Sequence, residues 1–315
     1  MTAASIAMRD AFGTALLDLA QTRPEMVVLD ADVATSTRTS AFGKKYPDRF
    51  FNVGVAEANM TGIAAGLAAC GLRPIVSTFG LFLSLKCADQ VRNIIAYNNL
   101  PVVLAGNYAG FSDSYDGASH QGILDIAIMR AMPNMAVIVP GDAIELKQAL
   151  EYALGRNGPT YLRICRNPTP VLFEDAPGFE FGRIRKVRDG GDITIAVSGV
   201  PTFMAIEAAE RLARRGIEVD LLEVSTIKPM DAGTLAESAS RTRCVLTVEE
   251  HTVCGGVGSA IAETLAALCP VTVDRLGIED RFGESGDYMA LLDKYGISAR
   301  HIEARAVGLV ERSKP

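Results

Sequence analysis

The feature that most constrains this chain is alternation. Short β-rich runs at 26–30 (MVVLD), 74–77, 101–105 (PVVLA), 136–139 (AVIV) and 160–164 are separated by helix-period stretches at 57–70, 85–98, 124–130 and 142–154. A strand–helix–strand rhythm predicts βαβ units around a mostly parallel sheet. Pro140-Gly141-Asp142 reads as a strand stop followed by a helix N-cap. The rhythm breaks over 167–188, a stretch rich in proline, glycine and mixed charge that reads as a linker with a short hairpin, and then restarts. Strands are expected at 193–197 (ITIAV), 217–222, 244–248 (CVLTV) and 271–274, with helices at 202–215 and 257–268. The pattern predicts an α/β protein of two doubly wound α/β domains, at 1–170 and 191–315, joined by a linker at 171–190.

Composition narrows the function classes. A chain of 315 residues has the length for two domains of roughly 150 residues each. With 49% hydrophobic and 22% charged residues it is neither disordered nor fibrous. A net charge of −6 argues against nucleic-acid binding and against attraction to an anionic membrane, because phosphate neutralisation needs clustered cations. Residues 1–20 carry Arg9, Asp10 and Asp18 and read as an amphipathic helix, not a signal peptide. No uninterrupted apolar run reaches the ~18 residues of a membrane span. The six cysteines form no CxxC pair, so reduced, mostly buried thiols in the cytoplasm are expected.

In open α/β sheets ligands sit beyond the carboxyl ends of the strands. The segments there are 30–37, 78–82, 106–122 and 165–168. Glu57 opens a helix otherwise made of Ala, Gly, Ile, Leu and Met. It is read either as a carboxylate favoured by the helix dipole or, since such a helix should be buried, as a functional acid. His120 lies in a Gly-, Ser- and Asp-rich loop instead of an apolar stripe, and Asp116 stands four residues earlier where it could orient the ring. Phe79 and Phe82 suit either core packing or stacking on a flat ring. Arg163 and Arg166 flank a strand end, where a surface position is the ordinary reading. The CGGVG run at 254–258 lacks a complete phosphate-loop pattern and reads better as tight helix packing. His251 and His301 have no clustered carboxylates or thiols around them, so no metal site is assigned.

Taken in order, Asp32…Ser36, GVAEANMTGIAAGLAACGLRP (54–74), STFGLF (77–82), DGASHQG (116–122), MPNM (132–135) and IVPGDAIE (138–145) resemble the pyrimidine-binding domain of the transketolase family. STIKPMD (225–231) and VLTVEEHTVCGGVGSAIAE (245–263) resemble that family's C-terminal domain. The resemblance implies thiamine diphosphate chemistry. Glu57 matches the catalytic glutamate that hydrogen-bonds the aminopyrimidine ring, and a buried helix start should raise its proton affinity. Phe79 and Phe82 match the pyrimidine pocket, and Asp32 a pocket aspartate. His120 and Asp116 match residues that bind sugar hydroxyls and assist proton transfer. Arg9, Ser36 and Arg166 match positions that hold the substrate phosphate.

The chain also departs from the family. It contains no GDG, the family's pyrophosphate and metal motif. The expected architecture is therefore the C-terminal (beta) subunit of a split transketolase. A GDG-bearing N-terminal partner would supply the diphosphate site and its Mg2+ or Ca2+, in an α2β2 assembly. The 107–115 loop (NYAGFSDSY) is longer than in ordinary transketolase and lacks arginine, while Arg163 is a feature of the sister deoxyxylulose-phosphate synthase. Alternatives are that synthase chemistry, a 2-oxoacid dehydrogenase beta subunit (which DGASHQG opposes), and a non-catalytic subunit retaining the fold. The donor is left open among a pentose phosphate, an apiose-type sugar phosphate and a sulfosugar.

Overall fold

The computed structural model describes residues 4–174 and 178–313. In chain order the strands are β1 (Ser5–Ala7), β2 (Met26–Asp30), β3 (Phe50–Asn52), β4 (Arg73–Phe79), β5 (Val103–Asn107), β6 (Ala136–Ile138), β7 (Thr160–Ile164), β8 (Pro168–Pro170), β9 (Arg185–Arg188), β10 (Ile193–Val197), β11 (Val219–Glu223), β12 (Thr226–Lys228), β13 (Cys244–Thr252) and β14 (Thr272–Ile278). A seven-stranded sheet has the order β12-β6-β7-β5-β4-β2-β3, and a five-stranded sheet the order β14-β13-β10-β11-β9. Both are parallel except at one edge, where β12 runs antiparallel to β6 and β9 antiparallel to β11. β1 and β8 form a separate antiparallel pair. The α/β architecture of two doubly wound sheets is thus as expected.

Every residue of β2, β5, β7, β10, β11 and β13 is buried, as strands covered by helices on both faces must be. Register sets the site. Phe79 pairs with Asn107, and Asn107 with Ile164, so β4, β5 and β7 end level and their following loops lie side by side. Asp30 at the end of β2 pairs with Ser77, placing its own loop next to these.

Three expectations need correction. The helix expected at 85–98 is instead Gly80–Leu85, Ala88–Gln90 and a π-helical turn Val91–Ala96. It starts directly after β4, where Gly80 allows close approach to the Tyr161 hydroxyl; a Cβ there would sit 3.0 Å from it. The two strands within 167–188 do not form the expected hairpin, because β8 pairs with β1 and β9 with β11; of the expected linker, residues 175–177 lie outside the described ones. Finally, the TIK of STIKPMD leaves its neighbours and joins the first sheet, with Thr226 opposite Ile138.

Helices Tyr288–Lys294 and Ala299–Ser313 complete the second unit, the latter packing on Thr202–Ala213. Among the described residues no helix is long and apolar enough to cross a membrane. All six cysteines are free; Cys87, Cys165 and Cys244 are buried, whereas Cys70 and Cys254 are exposed.

Candidate active site

Glu57 is the first residue of helix Glu57–Ala69, and its side chain is only 8% exposed. Its Oε1 accepts a hydrogen bond from Lys86 Nζ at 3.0 Å. The same ammonium lies 4.0 Å from the centre of the Phe82 ring, so the lysine bridges a carboxylate and an aromatic face. A carboxylate at a helix start is favoured by the exposed N–H groups there. The helix behind it is apolar, which keeps water from its inner side.

An aromatic wall stands beside Glu57. Phe79 ends β4 and Phe82 follows within the next helical turn, their centroids 5.5 Å apart. Tyr108 stacks on Phe79 at 4.4 Å. His120 meets Phe82 edge-on at 5.2 Å and Phe79 at 6.1 Å. Its Nδ1 is in hydrogen-bond contact with Ser119 Oγ at 2.9 Å. The sequence analysis missed Tyr108. Its backbone is left-handed (φ +58°), a conformation that costs a bulky residue about 1–3 kcal/mol and collects at functional sites. No sequence signal marks such strain in advance.

Tyr108 also connects the wall to a cluster of charge. Arg9 Nη1 donates to the Tyr108 hydroxyl at 2.6 Å, and that hydroxyl donates to the Ser36 carbonyl at 3.2 Å. Arg166 lies 4.9 Å from the Tyr108 ring centre and Arg9 5.6 Å. Arg166 Nη1 pairs with Asp113 Oδ1 at 2.8 Å. Asp113 is fully buried, and burial, reinforced by neighbouring Asp116, pushes its carboxyl up to about 6 against the pull of Arg166 and His120. The loop presenting Ser36 is held by buried Asp30. Its carboxylate accepts from Val33 N at 2.7 Å, Thr39 Oγ1 at 2.8 Å and Thr37 Oγ1 at 3.0 Å.

The structure thus gathers Glu57, Phe79, Phe82 and His120 at one place, and Arg9, Ser36 and Arg166 beside them. Other placements differ from expectation. Ser36 meets Arg9 and Tyr108 through its carbonyl. Asp116 interacts with Asp113, while the His120 ring nitrogen is met by Ser119, so Asp116 does not orient the imidazole. Asp32 is exposed, and its carboxylate accepts from Asn52 Nδ2 at 3.3 Å instead of lining the ring wall.

Arg163 is no surface residue: its side chain is 7% exposed and bonds Asp125 Oδ2 at 2.8 Å and the carbonyls of Gly122 and Glu250 at 2.9 Å each. Glu250 in turn accepts from the Phe111 backbone N–H at 2.6 Å and the Tyr288 hydroxyl at 2.9 Å. This polar network lies directly beneath the 108–122 loop. The CGGVG run packs its helix tightly, as expected. Glu249 caps that helix by accepting from Val257 and Gly258 N–H, and a Cβ on Gly256 would collide with Glu249.

A flat heteroaromatic ring with a basic nitrogen, such as an aminopyrimidine, fits the Glu57 side of this site. The carboxylate is the acceptor, and the Phe82 face that now carries an ammonium is a stacking surface. The described residues hold no group of three His, Cys, Asp or Glu able to bind a metal ion.

Comparison with known proteins shows the family. The family profile for the transketolase pyrimidine-binding domain matches residues 4–171, and that for the transketolase C-terminal domain residues 182–302. A 6-deoxy-6-sulfo-D-fructose transketolase subunit from a Clostridium species is 39% identical over 305 residues, covering 97% of this chain and 95% of that protein. A putative transketolase C-terminal section from Methanocaldococcus jannaschii is 40% identical, covering 95% and 94%. The 1-deoxy-D-xylulose-5-phosphate synthase of Desulfotalea psychrophila is 36% identical over 96% of this chain, which spans 47% of that longer protein. Among solved structures, a split gene transketolase in the form of an inactive beta4 tetramer superposes with a TM-score of 0.89 at 41% identity, over 99% of this chain and 100% of that one. The chain belongs to the transketolase family, spanning its pyrimidine-binding and C-terminal domains.

Proposed function

We propose that this chain is the C-terminal (beta) subunit of a split, thiamine-diphosphate-dependent transketolase. It would move a two-carbon ketol unit from a ketose with an anionic end, a phosphate as in ordinary transketolase, to an aldose acceptor. The observation that carries the reading is Glu57, buried at a helix start against Phe79, Phe82 and His120 and held by one half-exposed lysine. Relatives of the same length, described as a transketolase subunit and a C-terminal section, support a division of the enzyme between two chains. The partner would be an N-terminal subunit with a GDG motif that holds the diphosphate and its Mg2+ or Ca2+, the pair assembling as α2β2.

When bound, thiamine diphosphate supplies the carbon nucleophile and the electron sink. Glu57 would hold the aminopyrimidine by a hydrogen bond and exchange a proton with it, which requires Lys86 to release the carboxylate. Phe82 and Phe79 would pack the ring and exclude water. His120, its Nδ1 side met by Ser119, turns its other nitrogen to the substrate and handles the hydroxyl protons of donor and acceptor. Arg9, Arg166 and the Tyr108 hydroxyl receive the anionic end of the sugar.

The test is ketol transfer by the assembled subunits with Glu57→Gln. Retention of near-wild-type turnover sinks the reading. Turnover of pyruvate, with none of a ketose phosphate, would replace it by deoxyxylulose-phosphate synthase chemistry. The absence of any cofactor-dependent turnover in the wild-type assembly would leave a scaffold subunit.

A further inference from the structure

We propose that Asp113 determines specificity at the anionic end of this site: by tying Arg166 into an internal ion pair, it makes the cluster take a singly charged terminal group, such as a sulfonate, in preference to a phosphate dianion. The proposal rests on the transketolase reading for where the end of the sugar lies, and it refines what that end is.

The argument is a balance of charge at one place. Two guanidinium groups, Arg9 and Arg166, approach the Tyr108 ring. Arg166 is half-buried and already holds a fully buried counter-ion, Asp113, at 2.8 Å. Among the described residues Arg9 has no such partner. Its hydrogen-bond acceptors are the Tyr108 hydroxyl and the Ser36 carbonyl, both neutral. Its Nε is buried and lacks an acceptor, so among the described residues no carboxylate neutralises this guanidinium. Asp113 Oδ2 is likewise buried without a donor and faces Asp116. Two positive groups therefore stand against two carboxylates. The first negative charge of a ligand meets the unpaired guanidinium of Arg9. A second would meet a guanidinium already neutralised, with a bare carboxylate oxygen behind it, and like charges held in partly desolvated surroundings repel strongly.

Protonation bears on the same point. Asp116 and burial push Asp113 up while Arg166 and His120 pull it down, and it titrates at about 6. Around neutral pH and above, the carboxylate is charged and the discrimination is in force. Below that it fades. A phosphate ester also loses its second charge near pH 6 (its second pKa). A sulfonate keeps one charge throughout, so measurements at pH 8 separate the two.

Every member of the cluster lies on this chain, so the test needs neither cofactor nor partner. Its failure is therefore distinguishable from failure of the ketol-transfer reading, which Glu57→Gln addresses. Inorganic phosphate and methanesulfonate are titrated calorimetrically into the full chain at pH 8. The wild type should bind methanesulfonate more tightly than phosphate. Asp113→Asn should tighten phosphate about tenfold and change methanesulfonate less than threefold. The gain should vanish in Asp113→Asn/Arg166→Gln, because it acts through Arg166. Asp116→Asn, at an exposed position, gives a second handle should Asp113→Asn fold poorly, with phosphate tightening about threefold. A wild type that prefers phosphate, or a ratio of the two affinities unmoved by both carboxylate variants, overturns the proposal.

Discussion

The two parallel sheets are built alike and use their strand ends in opposite ways. At the ends of β4, β5 and β7 stand side chains that are half-exposed or hold a single polar partner: Phe82, His120, Lys86 with Glu57, and Arg166. At the ends of β10, β11 and β13 the polar groups turn inward. Ser198 donates to the Val224 carbonyl at 2.7 Å, Glu223 faces Glu145 and Arg185, Glu249 caps a helix and Glu250 holds the backbone of the 108–122 loop. The lesson concerns carboxylates. Glu57 and Glu250 are both buried, yet each oxygen of Glu250 accepts from a buried internal donor, while Glu57 has, among the described residues, one hydrogen-bond partner, which solvent can take away. Burial alone does not separate an available acid from a structural one; the number and mobility of its partners does.

The sharpest way to break this contrast is to alter one carboxylate of each kind. Glu57→Gln should lower kcat of the assembled enzyme by about 10²–10⁴-fold, the usual worth of a general acid–base group, with the Tm nearly unchanged. Second, Arg163→Met should act on stability instead. It strands Asp125, which is fully buried and held below the usual carboxylate range by Arg163 and His251 despite burial. Removing one partner of a buried pair costs about 3–5 kcal/mol, measurable by urea unfolding.

The third prediction concerns pH. Burial pushes Glu249 and Glu250 up to about 7 from 4.5. Between those values the folded chain holds protons the unfolded chain has released, so their contribution makes stability fall as pH rises. Burial lowers His251 from 6.5 to about 4, and its contribution makes stability rise over that interval. Above pH 6.5 the carboxylates act with little opposition from His251. Glu250→Gln should make the fall in Tm between pH 6.5 and 8 smaller, with Glu249 and the other carboxyls raised by burial, Glu223 among them, supplying the rest. An unchanged fall would show that Glu250 is not strained by its burial. The smallest effect is expected for Lys86→Met. The lysine is 49% exposed, so loss of its pair should move stability by less than about 1 kcal/mol.

Much of the scaffold was legible because its signals are local. The bounds expected for β2, β7, β10 and helix Val257–Leu268 coincide with those observed, each being a compact apolar run between turn residues. β12 was not legible, since three residues (Thr-Ile-Lys) say nothing of a partner strand some ninety positions earlier in the chain. At the site, Glu57 stood out as the one acid on an apolar helix. Tyr108 and Asp113 did not, because a left-handed backbone and a buried aspartate in a polar loop leave no trace in residue order. Arg163 misled for a related reason. A charge near a strand end resembles a surface residue until the strands on either side, β5 and β6, are known to enclose it.

The excursion of β12 bears on how such a chain can be cut. A fragment holding only the first unit would leave one side of β6 without its neighbour, exposing a row of N–H and C=O groups that any extended segment can pair with. Such a fragment should aggregate, or capture another strand, even with its own helices intact. The two units therefore are not separable pieces. A rearrangement that moved one without the other would have to supply a replacement strand, or a charged or kinked edge, before it had a usable protein.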